Sequence, residues 1–519
     1  MTDTFFSHVR AAHGVLSDQI RERISLLETS GRLETEQLES YQLSLSASAL
    51  LAIPIMIDYA NYGKQEQAIA TLYCMQTLRE TAASLLAAGL VDPSSVTALF
   101  TTEFQPSDEL MSMVALDPGP SHLGEDLELV AETFRRVALD KIAPVADDIH
   151  RQNLDIPESI LDQLAQLGAF GLSIPEQFGG SSNESVDDLI AMLVATEELS
   201  RASLGAGGSL ITRPEILAKA LLAGGTEEQK QRFLPALASG ELMGAVAVTE
   251  PDYGSDVAHI TTTATPVNGG WRINGTKTWC TFAGRAEILA VLARTDPDRS
   301  LGHRGLSLFF VDKTRSAGES FRHESNQGII EGRAIPTLGY RGMHSFEVSF
   351  DNVFVPTSQL IGESSGLGRG FYLQMAGFEN GRIQTAARAV GVMGAAYDAA
   401  RAYATTRSVF GQPLISYQLS KAKLAKMAAT LQASRQLTYA TARLLAQHQG
   451  SLEASMAKAY TCRAAEWVTR EGMQLHGGMG YAEEYAISRY FVDARVLSIF
   501  EGAEETLALK VIARGLARR

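Results

Sequence analysis

The spacing of hydrophobic positions changes along the chain. Up to about residue 240, apolar residues recur every three or four positions, as in "QAIATLYCMQTLRETAASLLAAGLV", which predicts amphipathic helices. From residue 241 to about 357, apolar and polar residues alternate, as in "FEVSFDNVFVP", which predicts strands. From "GLGRGFYLQM" onward, long alanine- and leucine-rich helical patterns return. The pattern therefore predicts an α+β chain in the order helices, strands, helices.

A segment rich in proline and glycine, "LDPGPSHLGED", interrupts the first helical region. This composition is typical of a linker. We therefore predict a helical N-terminal extension that precedes a second helical domain. The predicted order is extension, N-terminal α domain, central β domain and C-terminal helical bundle, with boundaries 1–118, 119–240, 241–358 and 359–519.

Two short patterns predict local geometry. Thr226 and Gln229 have the spacing of a capping box, which starts a helix. The stretch "VNGGWRING" places glycines between two alternating segments. It predicts a β-hairpin with a Gly-Gly turn.

The composition is that of a globular protein, with 519 residues, 45% hydrophobic and 20% charged. The net charge of −14 and the sequence pI of about 5.3 argue against non-specific binding to nucleic acid or to an anionic membrane surface. The start of the chain lacks a signal-peptide pattern. The longest apolar run, "ASALLAIPIMI", is too short to span a bilayer. We expect a cytoplasmic protein that binds neither nucleic acid nor a membrane.

Three cysteines, Cys74, Cys280 and Cys462, lie far apart in the sequence. Their separation does not match the spacing of a metal site. We interpret them as free thiols in a reducing compartment. We predict no metal centre.

Candidate chemistry begins where a predicted strand runs out, in "MGAVAVTEPDYGSD" at 243–256. The backbone N–H groups and the serine hydroxyl of such a loop suit a phosphate or a heteroaromatic edge. A polar β-turn without a ligand is the alternative. Further on, "KTWCTFAG" sets Trp279 and Thr281 on one face of a strand. An aromatic plane beside a hydroxyl can pack against a flat cofactor, although core packing is the ordinary role of a lone tryptophan.

Four later segments follow these two: "LGYRGMHSFEVSFDNVFVP", "YATTRSVFGQP", "QLHGGMGYAEEYAISRYFVDAR" and "IFEGAEE". In this order and at this spacing, the six segments resemble the acyl-CoA dehydrogenase family over residues 125–519. The resemblance implies an N-terminal helical domain, a central β-barrel-like domain and a C-terminal four-helix bundle. It also implies FAD, an acyl-CoA substrate and electron-transfer flavoprotein as the acceptor. In the family the flavin takes a hydride from the acyl β-carbon while a carboxylate takes the α-proton.

The resemblance also assigns residues to the cofactor. One group would contact the flavin and its phosphates from within the subunit: Val248 and Thr249 on the pyrimidine side, Ser255 on the pyrophosphate, Trp279 flanking the isoalloxazine and Thr281 near N5. A second group would serve the FAD of a neighbouring subunit: Arg407, Phe410, Gln474, Gly477 and Gly478. For His476 we expect a structural or cofactor-edge role rather than acid–base chemistry.

Among the three glutamates of "IFEGAEET", the resemblance assigns the catalytic base to Glu501, beside Gly502. A glutamate desolvated beside flavin and thioester would have a raised pKa, which fits it for proton abstraction near neutral pH. Some family members place the base elsewhere, at the position that Gly381 occupies here. Glu504 and Glu505 are interpreted as a charged first turn of the last helix. Ala503 replaces the usual threonine, so one hydrogen bond to FAD is expected to be lost.

The substrate prediction depends on Arg213, in a helix that resembles the one lining the acyl end of the pocket. This arginine could pair with an acyl carboxylate; in relatives acting on dicarboxylyl-CoA esters the corresponding arginine matches Gly207 instead. Surface snorkelling or a structural ion pair is the alternative for Arg213. Glu379 and Arg382 are predicted near the pantetheine and the active site.

Because it has the extension and Arg213, the chain resembles the subgroup of the family that oxidises (2S)-methylsuccinyl-CoA to mesaconyl-CoA in the ethylmalonyl-CoA pathway. The extension could cover a surface used for tetramer assembly, so we expect a homodimer rather than a tetramer. One alternative function is a dehydrogenase for a neutral short or branched acyl-CoA. Another is a non-catalytic flavin-containing relative that binds nucleic acid, which would need a basic stripe. A third is a purely structural helical protein without flavin.

Overall fold

The computed structural model describes residues 2–183, 185–325 and 328–519. Within it the chain forms two compact units. One, here called the helical unit, comprises Met1–Leu129 and Thr385–Arg519, and the other, here called the sheet unit, comprises Val130–Gln384. Each unit is described by itself.

The first part of the helical unit contains no strand among its described residues. Its helices are α1 Thr2–Thr29, α2 Gln37–Leu50, α3 Ala52–Tyr59, α4 Lys64–Ala87, α5 Pro93–Val96 and α6 Asp108–Leu116. One helical span, Gln37–Tyr59, is long and apolar enough in length and composition to cross a membrane, and 56% of its most apolar window is buried inside the protein. This span is longer than the apolar run seen in the sequence. Leu45, Ala47 and Leu51 of the span pack on a buried cluster of the same unit, which is the behaviour of a core helix.

A second set of helices follows the linker. They are α7 Glu125–Val137, α8 Ala143–Gln152, α9 Glu158–Gln166, α10 Val186–Ala202, α11 Thr212–Gly224 and α12 Glu227–Ser239. Helix α12 begins with the predicted capping box, in which Thr226 accepts from the Gln229 N–H and the Gln229 side chain accepts from the Thr226 N–H. The Gln229 amide also donates to the carbonyls of Ser358 and Leu360, so this cap ties α12 to the end of the strand region.

The strands form one eight-stranded mixed sheet in the order β1-β4-β2-β3-β8-β7-β6, with β5 paired to β4. They are β1 Gly244–Ala247, β2 Thr263–Val267, β3 Gly270–Thr281, β4 Ile288–Arg294, β5 Leu306–Asp312, β6 Ser320–Ser325, β7 Gly328–Ile335 and β8 Ser345–Pro356. The predicted hairpin is β2–β3. Its turn residues are Asn268 and Gly269, because Val267 pairs with Gly270. The predicted Gly-Gly turn is therefore wrong by one residue.

Both faces of the sheet carry buried apolar residues. On β5, Leu308 and Phe310 lie in a cluster with Leu221 and Phe233 of helices α11 and α12, whereas Phe309 lies in the cluster on the other face. Side chains of a strand alternate between faces, so a strand buried on both sides reads as a continuous apolar run. This explains why "LSLFFVD" shows little polar alternation.

The C-terminal region is helical apart from a two-stranded hairpin. Its elements are α13 Gly370–Thr406, β9 Ser408–Val409, β10 Gln412–Pro413, α14 Gln418–Ala446, α15 Ser451–His476, α16 Ala486–Leu497, α17 Glu504–Thr506 and α18 Ala513–Ala517. A π-helical turn, Leu507–Ile512, joins α17 to α18, where the sequence pattern predicted an ordinary helix. The α+β prediction is confirmed, while the four domain boundaries stay predictions.

Candidate active site

The end of strand β1 lies beside strand β3 in the sheet unit. The Thr278 N–H donates to the Thr249 carbonyl at 2.8 Å. Val248 is buried in the helix-facing cluster, and Thr249 is half-buried. The two segments that first suggested a ligand in the sequence, "TEPDYGSD" and "KTWCTFAG", are therefore neighbours in space.

A buried ion pair joins these two segments. The Lys277 Nζ donates to Glu250 Oε1 at 2.9 Å and to the Val248 carbonyl at 2.9 Å, and both side chains of the pair are buried. Burial acts to raise the pKa of Glu250, but the Lys277 charge and hydrogen bonds from Thr262 and Thr261 outweigh it and hold that pKa at about 2. Burial lowers the pKa of Lys277, opposed by Glu250. Sequence reasoning missed this pair.

Trp279 lies at a β-bulge in strand β3. Lys277 pairs with Val348 and Cys280 with Phe346, so three steps on β3 oppose two on β8. The backbone of Trp279 has φ +57°, and the residue is 55% exposed. Positive φ is strained for a tryptophan, and bulges next to functional sites re-aim side chains. Core packing, the alternative role for this residue, is thereby ruled out.

Thr281 and Ser255 complete the predicted flavin group of the sheet unit. The Thr281 hydroxyl lies 3.0 Å from the Ser345 hydroxyl on the neighbouring strand, and Thr281 is half-buried. Ser255 is exposed, in the loop that follows a turn closed by two backbone hydrogen bonds between Glu250 and Tyr253. Both residues belong to the two segments that the hydrogen bond between Thr278 and Thr249 joins.

Arg407 precedes the hairpin β9–β10 of the helical unit, and Phe410 lies in its turn. Phe410 is 98% exposed and has φ +49° in the turn. Arg407 is also exposed, and its carbonyl accepts from the Leu414 N–H. A phenylalanine that is almost wholly exposed and held at positive φ is a candidate contact for a second surface.

Gln474, Gly477 and Gly478 lie at the end of helix α15, also in the helical unit. All three line a cleft of about 400 Å³. Gly477 has φ +60°, and a Cβ at Gly477 or Gly478 would meet no atom within 4 Å. The cleft therefore gives a ligand direct access to backbone.

His476, between these residues, is buried rather than facing the cleft. Its Nδ1 lies 2.7 Å from the Gly472 carbonyl, and its ring stacks on Tyr403 with centroids 4.3 Å apart. Burial lowers the pKa of His476, with the Gly472 contact acting in the opposite direction. These contacts are those of a neutral structural imidazole.

Glu501 lies in the loop between α16 and α17, here called the base segment, Ser498–Glu504. It has φ +54°, and its neighbour Gly502 has φ +101°. Glu501 is half-buried, and its Oε2 is buried with no hydrogen-bond partner among the described residues. A buried carboxylate oxygen without a donor costs free energy, so its retention on a strained backbone is a signature of function.

Two buried cations of the helical unit hold the base segment in place. The Lys458 Nζ donates to the Gly502 carbonyl at 2.6 Å. The Arg388 guanidinium lies over the Phe500 ring, 5.5 Å from its centroid. Both cations have no exposed surface. Sequence reasoning did not find them, since each lies on a different helix far from the segment.

Arg213 lies in the first turn of helix α11 in the sheet unit and is only 6% exposed. Its Nε donates to the Ser209 carbonyl at 3.3 Å, and its Nη2 lies 3.5 Å from the Thr212 hydroxyl. No carboxylate of the described residues lies within the 4.0 Å of an ion pair. Neither snorkelling nor a structural ion pair within the described chain accounts for this arginine.

The other substrate-side predictions fall near Arg213 in sequence or on helix α13. At Gly207 a Cβ would lie 2.4 Å from the Leu199 carbonyl oxygen, so an arginine there would require the backbone to shift. Arg382 is half-buried on α13, and Gly381 is a buried glycine of the same helix. The side chain of Glu379 lies outside the described residues.

Three family models match the chain. They are the N-terminal domain of acyl-CoA dehydrogenase over residues 124–241, its middle domain over 245–353 and its C-terminal domain over 368–517. All three matches begin after the helical extension.

Similar proteins agree with these matches. The (2S)-methylsuccinyl-CoA dehydrogenase of Cereibacter sphaeroides is 43% identical over 399 residues, covering 77% of this chain and 71% of that protein. Among solved structures, the glutaryl-coenzyme A dehydrogenase glutaryl-CoA complex has a TM-score of 0.69 at 30% identity, covering 76% of this chain and 95% of that one. Butyryl-CoA dehydrogenase from Megasphaera elsdenii has a TM-score of 0.69 at 29% identity, covering 77% and 99%. The chain therefore belongs to the acyl-CoA dehydrogenase family, has its fold and is an FAD-dependent oxidoreductase acting on CH–CH bonds.

Proposed function

We propose that this enzyme dehydrogenates a short branched acyl-CoA that carries a second carboxylate, with (2S)-methylsuccinyl-CoA as substrate and mesaconyl-CoA as product. The observation that carries the proposal is the buried guanidinium of Arg213, which has no carboxylate partner among the described residues. A buried charge is costly without a counter-charge. The carboxylate of the acyl group would supply that counter-charge.

The cofactor positions fit FAD. The exposed indole of Trp279 offers a flat surface, and the neighbouring Thr278 N–H bonds the Thr249 carbonyl. In the proposal, the Thr281 hydroxyl lies near N5 of the flavin. In the proposal, Val248 and Ser255 hold the pyrimidine side and the pyrophosphate. When bound, the flavin supplies the acceptor for the β-hydride.

A second subunit would complete the cofactor site. Exposed Phe410 and the cleft lined by Gln474, Gly477 and Gly478 are suited to a partner's cofactor, with Arg407 opposite the pyrophosphate. We therefore propose a homodimer, for which the strained and exposed Phe410 is the supporting observation. Electron-transfer flavoprotein as the acceptor and a cytoplasmic location are proposed with it, on family membership.

Glu501 is the proposed base. The Oε2 of Glu501 has no donor in the described part of the chain, which leaves its lone pairs available for the α-proton of the substrate. The adjoining Gly502 allows a thioester to approach the backbone closely, because it has no side chain. A backbone N–H near the thioester oxygen would stabilise the enolate charge as it develops. Arg382 and Glu379 are proposed to shape the CoA side of the site.

Two relatives support a dicarboxylyl substrate. The name of one includes methylsuccinyl-CoA, and the other was solved with glutaryl-CoA. Both acyl groups end in a carboxylate. The alternative, a neutral short or branched acyl-CoA, supplies no counter-charge to Arg213, which has none among the described residues.

The test replaces Arg213 with methionine, which keeps length and removes charge. Under the proposal, kcat/KM for methylsuccinyl-CoA falls roughly 10²-fold or more, since losing one partner of a buried charge pair costs about 3–5 kcal/mol. The substrate-free protein should gain thermal stability, because an uncompensated buried charge is gone. An arginine with a purely structural role would give the opposite stability change.

The matched control is Arg294→Met. Arg294 is equally buried in the sheet unit, but it is held by the carbonyls of Ala258, Ile260 and Gly302. Its loss should lower stability without changing the preference for methylsuccinyl-CoA over 2-methylbutyryl-CoA. An unchanged preference in Arg213→Met as well would contradict the dicarboxylyl proposal.

A further inference from the structure

We propose that the N-terminal extension positions the catalytic base, through Tyr41 and Ser44 of helix α2. The inference rests on the proposed role of Glu501. Everything it invokes lies within the helical unit, where α2 contacts both the base segment and the π-helical turn that follows it. The extension would then be part of the active-site architecture rather than an added surface domain.

The base segment is a closed loop with fixed ends. The Glu504 N–H donates to the Ser498 carbonyl at 3.1 Å, which joins the first and last residues of the segment. At the first end, the Ser498 hydroxyl bonds the carboxylate of Glu466 on α15. Displacement of either end therefore moves Glu501 in the middle.

Tyr41 holds the other end. Its hydroxyl donates to Glu504 Oε1, and Arg463 of α15 lies 2.8 Å from the same oxygen and 3.2 Å from the Tyr41 hydroxyl. The Glu504 side chain is only 12% exposed. Burial and the Glu504 contact raise the pKa of Tyr41 to about 12, so the phenol remains a donor across neutral pH. Glu504, interpreted from sequence as a dipole-compensating surface charge, is instead the anchor between extension and base segment.

Ser44 extends the contact by one helical turn. Its hydroxyl donates to the Ala508 carbonyl at 2.9 Å, and both residues are buried. Ala508 belongs to the π-helical turn Leu507–Ile512, and the same carbonyl accepts from the backbone N–H of Ala513. Glu34, just before α2, pairs with Lys510 within that turn and with Arg514 beyond it. The extension therefore forms hydrogen bonds and ion pairs with successive residues on the C-terminal side of Glu501.

These contacts matter for catalysis because proton abstraction depends on geometry. Small displacements of a reacting group from its attack position lower the rate steeply, even when the change lies far from the chemistry. The positive φ of Glu501 and Gly502 is a strained arrangement that needs surrounding contacts to persist. Tyr41 and Ser44 are therefore positioning residues: they do not touch the substrate.

The experiment compares Tyr41→Phe and Ser44→Ala with matched controls in the full-length, FAD-loaded enzyme. Tyr59→Phe removes a hydroxyl that bonds the Pro120 carbonyl, away from the base segment. Ser48→Ala removes a hydroxyl that donates to the Ser44 carbonyl within α2. Rapid mixing with methylsuccinyl-CoA gives the rate constant of flavin reduction, with and without deuterium on the α-carbon. Amide hydrogen exchange of residues 498–506 reports the order of the base segment independently of turnover.

Each test variant should reduce its flavin about threefold to tenfold more slowly, since each loses one hydrogen bond that positions the base segment. The α-deuterium isotope effect should rise, KM should stay unchanged, and exchange in 498–506 should speed up. Neither control should do this. If Tyr41→Phe does not fold, Ser44→Ala alone decides, because it removes only one hydroxyl from a helix.

The inference would be overturned if both test variants had the flavin-reduction rate, the isotope effect and the amide exchange of the wild-type enzyme. The proposed base is tested separately by Glu501→Gln. If that variant reduces its flavin at the wild-type rate, the proposed function fails regardless of the extension. If it is inactive while Tyr41→Phe and Ser44→Ala behave as wild type, only the positioning role fails.

Discussion

Lys277 and Glu250 form a buried ion pair across 2.9 Å, and the same ammonium group donates to the Val248 carbonyl. The pair thereby couples the loop after β1 to the bulged strand that carries Trp279. Both of these segments belong to the proposed flavin surface. The pair has no direct contact with a reacting group, so it acts through the geometry of that surface.

Removing the Lys277 charge should therefore weaken the contact between the two segments of the proposed flavin surface. In Lys277→Met, Glu250 stays buried without a counter-charge, and the free energy of unfolding should fall by about 3–5 kcal/mol. FAD should also be lost more readily, measured as flavin absorbance retained after gel filtration. Lys313→Met is the control: Lys313 is buried, and its ammonium group donates to the carbonyls of Gly284, Ala286 and Thr314 rather than to a carboxylate of the described residues. Equal FAD loss in both variants would contradict the role of the pair.

Acid should weaken the same surface in a defined window. The pKa of Glu250 is about 2 in the folded protein against an ordinary value of 4.5. Because the folded value is depressed, the stabilisation is complete above 4.5 and is lost as pH falls towards about 2. Urea unfolding across this range should show the free energy of unfolding falling with acid, and Glu250→Gln should flatten that slope. An identical slope in the variant would show that other carboxylates dominate.

Tryptophan fluorescence gives a direct test of the flavin surface. Of the three tryptophans, Trp271 packs against the sheet core and Trp467 lies under Lys426, whereas Trp279 is exposed. FAD binding should quench the emission of Trp279 most, because an aromatic flavin stacks on the accessible indole. Trp279→Phe should therefore remove most of the quenching on FAD addition. Undiminished quenching in that variant would place the flavin elsewhere.

His476 should not contribute an ionisation to catalysis. Burial lowers its pKa, so the ring is neutral at and above neutral pH and its lone chemical role is the contact with Gly472. His476→Asn, which keeps a donor near that carbonyl, should leave the pH dependence of kcat unchanged even if stability falls. Loss of one limb of the pH profile would instead identify His476 as an acid–base group.

The sequence predicts which residues contact the flavin but does not show how they come together. Trp279 and Thr249 were assigned by motif, but their proximity depends on a β-bulge that local alternation cannot reveal. The turn of the β2–β3 hairpin was shifted by one residue because Asn268-Gly269 and Gly269-Gly270 both carry turn-forming residues. Register decides between them, and register is set by the whole sheet.

The sequence predicts a role for one residue of the base segment but not for the residues that hold the segment in place. Glu501 is predicted as the base from the family resemblance, whereas Lys458, Arg388 and Tyr41 reach the segment from three other helices. Such contacts depend on how helices pack, which one sequence does not determine. The π-helical turn after Glu504 was missed for the same reason, since its apolar spacing matches that of an ordinary helix.

The measurement that tests the central claim most directly is anaerobic reduction of the bound flavin by matched acyl-CoA esters. We predict that (2S)-methylsuccinyl-CoA bleaches the flavin and yields mesaconyl-CoA. The neutral 2-methylbutyryl-CoA, which has a methyl group in place of the carboxylate, should bleach it roughly 10²-fold more slowly, because it offers no carboxylate to the buried Arg213. Bleaching by the neutral ester alone, or at equal rates by both, would contradict the account.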